Sequence, residues 1–244
     1  MRLVTLNLRL DLDRWPERLP LVVEALAAAD ADVIGLQEVA LPIRQDHLIA
    51  DLLNERTPDR PYAVLTAPKW GAEPEAVSAL VRPRVLDHEV RELPVGGRVA
   101  LRVEVELDGG PLHVVVTHLH HWPLDDETVR AAQMRTLLGW LREREVDDPC
   151  VLMGDLNSTP GTVTLRAAGE LFGSALAPGL ATFPTPLSPY RYPPVQIDHV
   201  LYSRSLRVLD AGPVAHRGHP ADAALYPSDH IGIFAVVARA DAQD

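Results

Sequence analysis

The sequence predicts an α/β protein with a mixed sheet, and three observations carry that expectation. Short apolar runs stop abruptly in polar side chains, as in Val151-Leu152-Met153-Gly154-Asp155-Leu156-Asn157. That is how a strand covered on both faces delivers polar groups to its end. Two such runs, Arg2 to Leu6 and Val33 to Val39, flank a segment with apolar residues at helical spacing, and this β-α-β order implies neighbouring strands in one sheet. From Ala76 to Leu107 the pattern is mostly strand broken by short turns, an antiparallel section.

A chain of 244 residues, 47% of them hydrophobic, is long enough to bury roughly 70% of its unfolded surface, so a single domain over residues 1–244 is expected. The one cysteine, Cys150, cannot form an internal disulfide and reads as a small buried hydrophobe, in keeping with a reducing compartment. The apolar segment at the N-terminus is too short for a signal peptide, and no run reaches membrane-spanning length. A cytoplasmic protein without stable membrane insertion or an obligate protein partner is the expectation. The formal net charge of -11 removes any global attraction to nucleic acid or anionic lipid, although bound cations or a local basic groove can outweigh the mean.

In chain order, the first strand ends at Asn7. After a turn through Asp11, Asp13 and Pro16, Leu19, Val22, Val23 and Leu26 form a helical face. The second strand ends in Gln37-Glu38. Leu48, Ile49, Leu52 and Leu53 mark another helix, with Asp46 read as its cap. Strands follow at 62–66, 77–81, 85–93 and 99–107; in the last, Leu101, Val103, Val105 and Leu107 alternate with Arg102, Glu104 and Glu106. Asp108-Gly109-Gly110 predicts a hairpin turn before a strand that ends in Thr117-His118-Leu119-His120-His121. His118 holds the strand-end position, and His120 and His121 read as solvated loop residues. Val129, Ala132, Leu137, Trp140 and Leu141 give an amphipathic helix leading into the strand that ends at Asp155. A helix around Leu165 to Ala168 and an exposed loop from Pro178 to Pro194 come next. The last strands are 195–202, with Asp198 and His199 inside it, and 231–237 after Ser228-Asp229-His230.

Asp155 and Asn157 alternate with Leu156 and so point to one side. A carboxylate can hold a cation or take a proton, and a carboxamide can donate to an anionic oxygen without titrating; together they suit phosphoester cleavage. A carboxylate in the apolar setting of Asp198 needs a partner. Three neighbouring histidines invite a metal-site reading, but adjacent histidines diverge in direction and no zinc-type cysteine spacing supports it.

The ordered pieces Thr5-Leu6-Asn7, Leu36-Gln37-Glu38, Thr117-His118-Leu119, Gly154-Asp155-Leu156-Asn157, Ile197-Asp198-His199 and Ser228-Asp229-His230 resemble the motif set of the endonuclease/exonuclease/phosphatase superfamily of metal-dependent phosphoesterases. The resemblance spans nearly the whole chain. It implies a DNase I-like four-layer α/β sandwich, two packed mixed sheets flanked by helices. It also implies Mg²⁺ or Mn²⁺ held mainly by Glu38 with Asn7 and Asp229 nearby, oxygen donors suited to hard cations. Asp155 and the Asp198–His230 pair are the implied candidates for activating water, with the choice between them open. Asn157 is implied to hold a phosphoryl oxygen, and His118 to donate to the phosphate or assist the leaving group.

Some features depart from the pattern of the superfamily's DNA-repair members and point away from an abasic-site endonuclease. Asn7-Leu8-Arg9 lacks their acidic or amide residue two positions on, His118 stands where they carry tyrosine, and no proline follows Ser228-Asp229-His230-Ile231-Gly232. The substrate is left among nucleic acid, a phospholipid head group and a small phosphoester. Arg98 is a weaker candidate for a phosphate clamp. Trp122, Phe183, Tyr190 and Tyr192 read first as loop packing, with lipid contact or base stacking as alternatives. The competing function is a catalytically silent protein that uses the same groove for binding.

Overall fold

The computed structural model of the chain describes residues 1–71, 74–107, 110–121, 123, 125–143 and 149–240. In the first half, β1 (Arg2–Asn7), α1 (Trp15–Ala29) and β2 (Val33–Ala40) form the expected β-α-β unit, followed by α2 (Gln45–Arg56), β3 (Ala63–Pro68) and β4 (Glu75–Val81). Next come β5 (Val85–Glu92), β6 (Val99–Leu107), β7 (Gly110–His118), α3 (Thr128–Arg142), β8 (Cys150–Asp155) and α4 (Val163–Ala168). The chain ends with β9 (Phe172–Ser174), β10 (Asp198–Ser203), β11 (Leu206–Val214) and β12 (Gly232–Arg239).

Two six-stranded mixed sheets result, ordered β11-β12-β1-β2-β4-β3 and β5-β6-β7-β8-β10-β9. Each has one parallel pair joined by a crossover helix, β1 with β2 and β7 with β8, and antiparallel strands outside it. The two halves therefore share a plan that no sequence repeat announces.

Period two sorts each strand between two apolar layers. Leu3, Val33, Val103, Val116, Val151 and Met153 meet between the sheets. Val4, Leu6 and Ile34 face Val22, Leu26 and Ile49 of α1 and α2, and Val115 and Leu152 face Met134 and Leu137 of α3. The layers are thus helix, sheet, sheet, helix. Both parallel pairs stop at strand ends rich in polar groups: Asn7 aligns with Gln37 and His118 with Asp155. Gly154 lets the β7 and β8 backbones approach there. It has φ +146°, and a Cβ on it would lie 1.9 Å from the Thr117 carbonyl oxygen.

Three expectations need correction. Asp46 is not the cap of α2; the cap position is Arg44, without a side-chain hydrogen bond. The Asp46 carboxylate is buried instead and accepts hydrogen bonds from the Thr66 (2.5 Å) and Ser78 (2.7 Å) hydroxyls. Pro16 belongs to the first turn of α1 and not to the preceding turn, a position where proline's missing N–H costs nothing. The strand read from Val195 begins at Asp198, because Val195 turns aside to bridge Phe183. The turn at Asp108-Gly109 and the side chain of Trp122 lie outside the described residues. Among the described residues, no helix is long and apolar enough to cross a membrane.

Candidate active site

Asp155 ends β8 at the centre of a cavity of about 370 Å³. The carboxylate is buried. Its Oδ1 accepts the Asn157 backbone N–H at 2.9 Å and its Oδ2 accepts Asn7 Nδ2 at 3.0 Å. His118 Nε2 lies 3.5 Å and His230 Nε2 3.8 Å from the same Oδ2. Sheet register explains the convergence: His118 is the parallel partner of Asp155 on β7, and Asp198 is its antiparallel partner on β10.

Asp198 is fully buried and its Oδ2 is 2.9 Å from His230 Nδ1. Burial works against a charged His230, but Asp198 and then Asp155 outweigh it and raise its pKa well above the ordinary histidine value. The ring is therefore an imidazolium between two carboxylates. Asp155, Asp198 and His230 bring ligand-type atoms within 4.8 Å of one another, a spacing that a cation could bridge.

Glu38 occupies the opposite wall. A register shift between Leu36 and Val39 against β4 and a left-handed backbone (φ 49°) at Glu38 itself aim its carboxylate into the cavity, an arrangement that costs backbone energy. Asn7 Nδ2 donates to Glu38 Oε1 at 3.2 Å, so this amide spans Glu38 and Asp155. Burial first, and then the Glu75 carboxylate, push the Glu38 pKa up to about 7. Asp229 lines the cavity with Glu38, and its Oδ2 accepts Arg9 Nη1 at 2.5 Å. Glu38 and Asp229 thus present oxygen atoms of the kind a hard cation selects, whereas Asn7, expected beside them as a ligand, turns Nδ2 to Glu38 and Asp155 and has its Oδ1 taken by the Arg9 backbone N–H at 2.9 Å.

His118 is 3.4 Å from Glu75 Oε1 through Nδ1. Burial, and then the Arg98 guanidinium, lower its pKa to about 4, so the ring is neutral at physiological pH. Behind it, Lys69 Nζ donates to Glu75 Oε2 at 2.5 Å. Asn157 adopts φ 48°, and its Nδ2 donates to the Leu119 carbonyl at 3.1 Å, leaving the second amide hydrogen for another acceptor. Asp155 and Asn157 both line the cavity as expected, though β8 ends at Asp155 and a turn, not strand geometry, brings Asn157 there.

All eight predicted site residues meet at this strand edge, with Asn7 and Asp198 lying directly behind the cavity wall. Arg98 does not line the cavity. It is buried, with Nη2 3.0 Å from His121 Nδ1. His121, read as a plain loop residue, does line it. The cavity arginine is Arg9, and the loop that carries it is fastened from behind by Arg18. That fully buried guanidinium donates to the carbonyls of Leu8 (2.9 Å), Leu10 (3.1 Å), Leu12 (2.6 Å) and Pro227 (2.9 Å).

A family model described as the Endonuclease/Exonuclease/phosphatase family matches residues 4–230. The chain belongs to that family. No curated protein matches the sequence. Solved members of similar fold include the human Nocturnin catalytic domain with bound sulfate anion, at 20% identity and TM-score 0.79 over 98% of this chain and 93% of that one. A mannosyl-6-phosphatase from Bacteroides thetaiotaomicron is 18% identical with TM-score 0.78, covering 98% of this chain and 99% of that one. D. rerio TDP2 complexed with a single-strand DNA product is 18% identical with TM-score 0.77, over 98% of both chains. These likenesses bear out the two-sheet sandwich of the endonuclease/exonuclease/phosphatase fold.

Arg9, Arg18, Glu75 and His121 escape the motif reading. Arg9 follows the first motif by two residues, and only folding shows that its loop turns toward Asp229. Arg18 sits on the face of α1 otherwise given to apolar residues, and that misplaced charge is the one signal the sequence offers.

Proposed function

We propose that this chain is a divalent-metal-dependent phosphoester hydrolase that cleaves a P–O bond by attack of an activated water, without a covalent enzyme intermediate. The observation that carries this reading is Asp155, a buried carboxylate held by Asn7 with His118 and His230 on either side. Those groups can hold a water and a phosphoryl group together. The proteins of like fold agree in chemistry: one acts on a sugar phosphate, one is named with a DNA product and one holds sulfate.

Glu38 and Asp229 fit a hard cation, with the Asn7 amide holding Glu38 in place from behind. Among the described residues Glu38 has no cationic hydrogen-bond partner, and its carboxyl is pushed up to about 7 by burial and by Glu75, so a cation there would favour its ionised form. Mg²⁺ or Mn²⁺ held by these residues would polarise a phosphoryl oxygen and stabilise developing charge.

The chain's own groups divide the remaining work. Asp155 accepts the water proton as the water oxygen bonds to phosphorus, and Asn7 fixes its carboxylate. His230, whose pKa Asp198 and Asp155 raise, sets positive charge beside the phosphoryl oxygens, while Asp198 holds its orientation. Asn157 offers its free amide hydrogen to a phosphoryl oxygen. His118, being neutral, can hydrogen-bond the leaving oxygen through an N–H as the ester bond breaks, and the departing oxygen takes its proton from water. The reading takes residues 1–244 as one domain, supported by the apolar layer that both sheets share.

The test is hydrolysis of a panel with Mg²⁺ or Mn²⁺: single- and double-stranded DNA, RNA, bis-p-nitrophenyl phosphate, p-nitrophenyl phosphate, sphingomyelin, and sugar and nucleoside monophosphates. Turnover of one class, lost reversibly in EDTA and lost in Asp155→Ala, is expected. A metal-loaded protein that turns over none of them, or an Asp155→Ala variant of full activity, overturns the reading.

A further inference from the structure

Three aromatic rings form the upper wall of the cavity, and the hydrolytic machinery does not use them. Phe183, Tyr190 and Tyr192, with Ile197, line the same space as Glu38, Asp155 and His230. Phe183 rests against the His230 ring with centroids 4.8 Å apart, Tyr192 lies 5.8 Å from Phe183, and Tyr190 lies 5.9 Å from Tyr192. The series runs outward from the imidazolium to solvent. Tyr190 is 58% and Tyr192 39% exposed, so these rings contribute little to the core. Large aromatic surface left in water beside a polar site marks a place where a ligand covers it.

The wall is also held in position. The Thr182 and Phe183 backbone N–H groups donate to the Val195 carbonyl at 2.8 and 3.0 Å, and Val195 N donates back to Phe183 at 2.7 Å. Thr185 Oγ1 donates to the Ser228 carbonyl at 2.7 Å, and Thr185 N to the Asp229 carbonyl at 2.8 Å. Phe183 and the base of the aromatic loop are thereby tied to the segment that carries Asp229 and His230, and Tyr192 and Tyr190 continue outward from Phe183 through ring contacts.

We infer that the cavity takes a phosphoester of mononucleotide size, with the phosphoryl group at Asp155 and His230 and a planar ring stacked on Tyr190 and Tyr192. This rests on the phosphoester-hydrolase reading and narrows it. Two observations favour a flat π-face over a bare sugar or a long polymer. Among the described residues, those that the 183–197 segment contributes to the lining are Phe183, Tyr190, Tyr192 and Ile197, none of which offers the amide or carboxylate groups that sugar hydroxyls need. The net charge of -11 also works against extended contact with a polyanion, whereas a cavity of about 370 Å³ suits a small ligand.

The test compares adenosine 5′-monophosphate with ribose 5-phosphate, which differ only by the base. Dissociation constants are measured by calorimetry on the Mg²⁺-loaded protein in which turnover is blocked by Asp155→Asn. The base should tighten binding about 10-fold, the lower range for one base on an aromatic ring. Adding Tyr190→Ala or Tyr192→Ala should remove most of that ratio, while Tyr192→Phe keeps it, since stacking needs the ring and not the hydroxyl. A ratio near one, no measurable binding of adenosine 5′-monophosphate, or a ratio unchanged in both alanine variants overturns the inference. Turnover of the substrate panel by the unsubstituted, metal-loaded protein is scored separately. Turnover of any member with a ratio of one sinks the aromatic platform alone; turnover of none sinks the hydrolase reading.

Discussion

Asp155 and Asp198 stand directly opposite each other in the antiparallel register of β8 and β10, and the His230 ring interacts with both, at 2.9 Å from Asp198 through Nδ1 and 3.8 Å from Asp155 through Nε2. Two buried carboxylates in paired positions would repel. The imidazolium between them removes that repulsion, and in exchange the carboxylates keep it protonated.

Asp198→Asn should therefore lower kcat by about 100-fold or more, the scale of a displaced acid–base group, with a much smaller change in KM. It should also alter the pH profile of stability. A histidine whose folded pKa lies above its ordinary value contributes stability below about 6.5 that is lost as the pH rises through the folded value. Urea midpoints measured from pH 6 to pH 10 should fall on the alkaline side in the unsubstituted protein and fall less in Asp198→Asn. Parallel curves would show that the pair does not hold the proton.

Glu38→Gln should separate stability from function. Because the folded pKa of Glu38 is raised to about 7, its favourable contribution is present below about 4.5 and lost as the pH rises to 7. At pH 8 the metal-free fold carries an ionised group it would hold better neutral. In EDTA at that pH the glutamine variant should melt a few degrees higher, in keeping with about 1–2 kcal/mol in a chain of this size. Mg²⁺ or Mn²⁺ should raise Tm in the unsubstituted protein and much less in the variant. Equal metal stabilisation in both would remove Glu38 from the ligand set.

Much of this site is legible in the sequence because its residues end strands. A run such as Val151 to Asp155 announces both the strand and the polar group it delivers, and motif order then brings distant runs together. What escapes is whatever depends on which neighbour arrives. Asp46 looks like a helix cap because capping is a local pattern, yet its carboxylate is taken by hydroxyls on β3 and β4, 20 and 32 residues away. β11 goes unread because it is an edge strand with exposed polar residues and a bulge at Val208 to Asp210, so its alternation is blurred. Arg9 is hidden for the same reason as Asp46: its partner Asp229 is 220 residues away.

Arg18→Met should be among the most damaging changes outside the cavity. It leaves the carbonyls of Leu8, Leu12 and Pro227 without their side-chain donor, while Leu10 keeps Gln45 Nε2, and each buried orphan costs about 1–3 kcal/mol. A loss of at least about 3 kcal/mol in urea unfolding is expected. The variant should also show raised KM at temperatures where it is still folded, because the Arg9 loop and the segment before Asp229 lose their common tether. A loss below about 1 kcal/mol would mean that water replaces the guanidinium without consequence.

Arg9→Lys tests whether the cavity needs a fork or only a charge. The Arg9 guanidinium reaches Asp229 at 2.5 Å through Nη1 and also bonds Asp13 through Nε, so one planar group holds two carboxylates on different segments. A lysine keeps the charge but presents a single point and cannot span both. Asp229 would retain some compensation and lose its fixed orientation. The expected result is a modest fall in kcat, a several-fold rise in KM and a weaker apparent affinity for Mg²⁺, with Tm changed little. Arg9→Ala should go further, leaving the buried Asp229 without its hydrogen-bonded cation at a cost of about 3 kcal/mol in metal-free protein, and most of that loss should be recovered on adding Mg²⁺. If added metal recovers nothing, Asp229 does not face the cation, and the ligand set reduces to Glu38.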